Sequence, residues 1–179
     1  ENAPEKTPTE KAVDILNSKT ERLDNPWKSN TGDLLTDADF TKIFGEAGLK
    51  SLNRIPRENY CLFEWLKPDW VQRDNANDKS GDKFTNPKNN LVFLLIDFGQ
   101  PKTAAAIFQQ KMDLRTEHWN DKIAGIGEGA LWSNDNRRLI VLVGQFIINV
   151  DVSVEDEAGA NLPKAKEVAA VVVPKLAKK

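Results

Sequence analysis

Apolar positions along the chain gather into a few dense runs separated by polar stretches, and the densest is Arg137 to Val154, RRLIVLVGQFIINVDVSV. Leu139 to Val143 and Phe146 to Val154 are rich in β-branched and aromatic residues, with Gly144-Gln145 between them. That pattern predicts a hairpin at the centre of an antiparallel sheet. Leu91 to Phe98 (LVFLLIDF) is almost wholly apolar, as expected of a central strand covered on both sides. In Tyr60 to Leu66 (YCLFEWL) the only charge, Glu64, shares a face with Tyr60, Leu62 and Leu66, so Cys61, Phe63 and Trp65 are the expected buried side. Pro68 ends this strand. A short strand at 130–133 follows the glycine-rich IAGIGEGALW, and Asn134-Asp135-Asn136 turns it into the main hairpin.

Helical spacing appears three times. Thr36 as N-cap places Asp39 at N3, and Leu35 can staple onto Phe40, which starts a stripe of Phe40, Ile43, Phe44 and Ala47 with Gly48 as the expected stop. Pro101 opens a second helix packed through Ala104, Ile107, Phe108 and Met112 and expected to run to about Trp119. Leu162 to Leu176 forms the third, with Ala165, Val168, Ala169, Val172 and Leu176 on one face and Pro174 expected to kink or end it. The order is therefore α-β-β-α-β-β-β-α, an α+β fold with an antiparallel sheet and covering helices. One domain is expected over residues 32–179, preceded by a polar arm or tether at 1–31. Within the arm, Thr9 to Leu16 can form a short helix with Ala12, Val13 and Leu16 on one side. Asp69 to Asn90 and Glu155 to Asn161 read as polar loops.

Composition narrows the function more than it narrows the fold. A formal charge of -2 and a pI near 5.6 argue against a nucleic-acid surface, which needs a basic patch. No run approaches the roughly 18 apolar residues of a membrane span. The chain begins at Glu1 without an initiator Met, so a processed N-terminus is expected, signal-sequence removal being one cause. Cys61 is the only cysteine and lies in an apolar strand pattern, where a buried inert thiol is expected. His118 is the only histidine and cannot by itself build the common zinc sites. The glycines at 125, 127 and 129 fit neither GxGxxG after a strand nor a P-loop. Asp74 to Asp82 (DNANDKSGD) is rich in oxygen, but counted from Asp74 the sixth position is Lys79 and the twelfth Thr85, against the Gly and Glu of a calcium loop. No metal and no cofactor is expected.

The succession LLTDADFTKIFG, YCLFEW, GIGEGALW, LIVLVGQFIINVDV and AKEVAAVVVPKL resembles small bacterial exported proteins and lipoproteins of uncharacterised function, over about Leu34 to Leu176. It departs from that pattern in its single cysteine and in the polar insertion at Asp69 to Asn90. The resemblance implies a periplasmic or cell-surface location, a tether through a lipidated residue upstream of Glu1 with the arm as spacer, and no catalytic set. The residues themselves leave three readings open. The first is a non-enzymatic protein-binding or structural envelope domain. The second is a small-ligand or glycan-binding domain using some of Trp27, Trp65, Trp70, Trp119 and Trp132. The third is a hydrolase pairing two of Glu64, Asp97, Glu117 and Glu128. Trp70, beside the polar loop, and Trp132, beside the glycine turn, are the expected contact residues, with a core role as the competing reading for both.

Overall fold

The computed structural model describes residues 31–80, 87–99, 101–113 and 119–177. The expected arm helix at Thr9 to Leu16, Trp27, Glu117 and His118 lie outside the described residues. A 3-10 turn (Thr31–Leu34) leads into α1 (Asp37–Phe44) and α2 (Glu46–Lys50), then β1 (Asn53–Pro56), β2 (Tyr60–Leu66), α3 (Trp70–Ser80) and β3 (Asn89–Phe98). There follow α4 (Pro101–Asp113), β4 (Trp119–Ile123), β5 (Gly129–Ser133), β6 (Arg138–Val143), β7 (Phe146–Ser153) and α5 (Leu162–Leu176). The fold is α+β. Seven antiparallel strands lie in the order β1-β2-β3-β7-β6-β5-β4, which puts β7, half of the predicted hairpin, in the middle. Val143 pairs with Phe146 across Gly144-Gln145, and Gly144 has φ +56° at the first turn position, where a side chain would be strained.

Four elements, α2, β1, α3 and β4, lengthen the eight-element order expected from the pattern. β1 (NRIP) is too short to show alternation and ends in Pro56, which an edge strand tolerates because one rim of it needs no ladder partner. β4 (WNDKI) begins at Trp119, where the second helix was expected to end; the described part of that helix is Pro101–Asp113. α3 replaces the first half of the expected polar loop. It has no apolar stripe and is held by charge: Arg73 Nε donates to Asp69 at 2.8 Å, and the two guanidinium ends donate to Asp156 at 3.0 and 2.9 Å. Lys67, only 4% exposed, donates to the Val154 carbonyl at 2.8 Å and to Asp156 at 3.1 Å. The oxygen-rich stretch is thus partly helical, with Asp74 paired to Lys88.

The capping box at Thr36 and Asp39 forms, but the helix breaks at Gly45, with φ +85°, rather than at Gly48. Gly48 serves packing: a Cβ there would lie 3.0 Å from the Trp65 indole nitrogen. Pro174 sits in the last turn of α5 without ending it.

The sheet has two unlike faces. On the first, Phe40 and Ile43 of α1 and Ala165, Val168, Ala169, Val172 and Leu176 of α5 close over Cys61, Phe63, Trp65, Leu94, Val150 and Trp132 in one apolar core. Two lysines fasten the layer. Lys175 Nζ donates to the Leu34 carbonyl and to Asp39, at 2.9 and 2.8 Å, and Lys164 Nζ donates to the Ile43 carbonyl at 2.7 Å. On the second face α4 is, among the described residues, the one helix that packs, its Ala104, Phe108 and Met112 meeting Leu131, Ile140, Leu142 and Ile147. Among the described residues no helix is long and apolar enough to cross a membrane.

Candidate functional site

The period of two in β2 and β3 sends Ile55, Tyr60, Leu62, Leu66, Leu91, Phe93 and Leu95 to the second face, on the strands that α4 does not reach. Strand register arranges them in rows. One row runs Ile55, Leu62, Phe93, Asp151, Arg138; the next runs Tyr60, Leu95, Asn149, Ile140; the next begins Asp97, Ile147, Leu142. The positions on β1, β2 and β3 are partly or fully exposed, whereas Ile140, Ile147 and Leu142 pass under α4. Ile55, Tyr60, Leu62, Leu91, Phe93 and Leu95 are partly exposed and belong to neither core, and Leu66 is 39% exposed. Tyr60 and Phe93 meet with ring centroids 5.5 Å apart at 40°. Beyond Leu66 in the chain, Trp70 at 38% and Val71 at 47% are also exposed, at the start of α3.

Polar groups line the border between this apolar floor and the part covered by α4. Arg138 donates to both carboxylate oxygens of Asp151, at 2.6 and 2.7 Å, a two-pronged pair that fixes both side chains. Asn149, 5% exposed, donates to Asp97 Oδ2 at 3.4 Å. The Asp97 side chain keeps one side open to water, yet partial burial of its carboxyl raises its pKa, opposed by the Asn149 hydrogen bond and by the positive charges of Lys111 on α4 and Arg138. No ion pair to Asp97 forms among the described residues. The site is therefore an apolar floor with one carboxylate at its edge that lacks a direct cationic partner.

The tryptophans divide. Trp132 is wholly buried, its indole nitrogen donating to Asn134 Oδ1 at 2.5 Å, so it is a core residue and offers a partner no surface. Its expected contact role is corrected here, and the cause is register: in β5 it points to the face that α5 covers. Trp65 is also core, with its indole nitrogen 2.9 Å from the Asn90 amide oxygen once that amide is oriented by its partners. Trp70 remains at the surface, at the start of α3. The glycine segment is architectural. Gly127, φ +58°, lies where a Cβ would collide with the Leu142 carbonyl, and Glu128 accepts from the Gly144 backbone N–H at 2.5 Å, tying the segment to the main hairpin turn. Cys61 is buried, and burial pushes its thiol up to about 11, which leaves it protonated and unreactive near neutrality.

Of the four candidate acids, Glu64 and Asp97 share the open face. Glu64 pairs with Leu91, six residues from Asp97 along β3, so the two backbones are about 20 Å apart at strand rise, far beyond the separation at which two carboxylates share one sugar bond. No group of three or more His, Cys, Asp and Glu side chains is placed to hold a metal ion among the described residues. Alternation in YCLFEWL could have located this face, because Leu62 and Leu66 stand on its polar side; what the pattern could not show was that the equivalent face of β3 would be partly exposed as well. Comparison with family models, with curated proteins and with solved structures found no match to this chain.

Proposed function

We propose that the domain is a non-enzymatic binding module whose contact surface is the open sheet face of β1, β2 and β3, and that what it binds is another protein. The observation that carries this reading is the run of Ile55, Tyr60, Leu62, Leu66, Leu91, Phe93 and Leu95 on strands that no described helix covers on that side. Apolar side chains held on a rigid sheet and rimmed by fixed polar groups are what a protein interface requires. Catalysis asks for converging groups, and the carboxylates on this face stand far apart. Trp70 and Val71, both exposed, follow this strand at the start of α3. In keeping with the resemblance to exported lipoproteins, the module works outside the cytoplasm, held at a membrane by a tether upstream of residue 1.

The test uses the double variant Leu62→Ser/Phe93→Ser immobilised beside the unaltered protein. A polypeptide from envelope extract should be retained saturably by the unaltered protein and lost by the variant, and the purified polypeptide should then bind with defined stoichiometry in calorimetry. Equal retention by both proteins would remove the face from the function. A second reading is favoured by one contact: the Tyr60 and Phe93 rings beside Asp97 and Asn149 offer stacking and hydrogen bonding of the kind a glycan uses. A saturable signal on a glycan array that the same variant abolishes would establish it instead.

A further inference from the structure

We infer that the open face selects an extended protein segment that presents apolar side chains followed by a lysine or arginine, with Asp97 as the acceptor of that cation. This rests on the binding reading above and adds the chemistry of the partner. The floor is chiefly aliphatic, and its two rings are tilted rather than coplanar, which suits Leu-like and Phe-like side chains better than a flat sugar ring. The border of the floor decides the charge. Of the ionic groups there, Asp151 is satisfied by both prongs of Arg138, and Arg138 is thereby engaged as well. Asp97 is different: among the described residues it accepts a single long hydrogen bond from a neutral amide and has no direct cation. It stands two positions beyond Leu95 on β3, with Leu95 and Phe93 on the same face. An extended segment laid along β3 repeats its side chains at the same spacing of two, so an apolar pair over Phe93 and Leu95 brings the next outward residue over Asp97. A cation there gains a partner on a partly desolvated carboxylate, while an acid would meet like charge.

Proton linkage follows from the same geometry. The groups facing Asp97 are Asn149 and, farther off, Lys111 on α4 and Arg138 on β6; Asp151 is held by Arg138, and Glu64 lies at the other end of the face. With the free carboxyl raised by partial burial, an incoming ammonium favours its ionised form and lowers that pKa. Binding then releases a proton wherever the free carboxyl is still protonated. Affinity rises with pH through the free-state pKa and is flat above it.

The probe is the capped heptapeptide Leu-Ser-Phe-Ser-Leu-Ser-Lys, whose odd positions share one side when extended, compared with versions ending in Gln and Glu. Each is titrated into the full chain, into Asp97→Asn and into Phe93→Ser, with amide chemical shifts as the readout. The Lys peptide should move the resonances of β2, β3 and Asp97, should bind roughly three- to tenfold more weakly to Asp97→Asn, and should bind more tightly as pH rises from 4 to 7. If the Lys, Gln and Glu peptides bind the same residues equally and Asp97→Asn changes nothing, the cation preference is wrong while the face remains a binding surface. If no peptide moves residues of the face and Phe93→Ser is without effect, the binding reading falls with it. Saturable binding of a chitin or cellulose oligosaccharide at the same residues would overturn the proposal in favour of a glycan.

Discussion

Phe63 and Phe93 sit on neighbouring strands of one sheet and differ in what covers them. Phe63 is fully buried against Phe40, at 6.3 Å between ring centroids, and the Arg54 guanidinium lies 5.3 Å from its centroid. Phe93, on the opposite face, stays partly exposed beside Tyr60. The difference teaches that apolar content in a strand does not tell stability from recognition. On the first face each side chain removed leaves a cavity that the α1 and α5 layer cannot collapse into. On the second, the same kind of side chain already meets water, and its removal costs the fold little.

The largest expected effect breaks the first face. Phe40 is fully buried and meets Trp65 edge to face at 4.9 Å, so Phe40→Ala should lower unfolding free energy by about 3 to 5 kcal/mol in denaturant titration. A loss under 1 kcal/mol would remove the contrast between the faces. Next is Gly127→Ala at the end of the sheet, where a positive φ combines with the Leu142 carbonyl in the path of a Cβ; about 2 kcal/mol should be lost. The second face should respond far less: Phe93→Ser should cost about 1 kcal/mol or less by the same measurement, because part of the ring is already in water. A cost like that of Phe40→Ala would mean that Phe93 is core.

The smallest effect concerns acid. Arg73 and then Lys67 hold the Asp156 carboxyl down to about 2, below its ordinary value. A carboxylate with a depressed folded pKa contributes stability above its unfolded value, near 4, and that contribution is lost as pH falls from there toward 2. Because Asp156 is largely exposed, the loss should be local: amide exchange in α3 and residues 154–161 should quicken between pH 4 and 2 before the central strands respond. Uniform quickening would show that this clamp is not a separate unit.

Much of the architecture was legible. The hairpin across Gly144, the buried set Cys61, Phe63 and Trp65, the capping box at Thr36 and the α5 stripe all follow from spacing, because each is a local pattern whose period matches its element. α3 was not legible, since a helix held by Arg73 and Lys67 to Asp156, more than eighty positions away, needs no apolar stripe of its own. Nor was β4, of which Trp119 was expected at the end of a helix and residues 120–122 in no element, and which pairs along the edge of β5.

The candidate site was half legible. The amino-acid sequence by itself determined the alternation that sends Leu62 and Phe93 to one side and Phe63 and Leu94 to the other, because side chains of a strand alternate whatever surrounds it. It also placed Trp65 with Cys61 and Phe63 on the buried side of β2, whereas Trp132 was expected at a contact. Only the tertiary structure decided which face would be covered. α4 is one helix of thirteen residues and lies over β6 and β7, so its reach ends before β3. That limit, set by the length of a helix against the width of seven strands, is what leaves Phe93, Leu95 and Asp97 partly or fully exposed, while α5 on the opposite face buries Trp132.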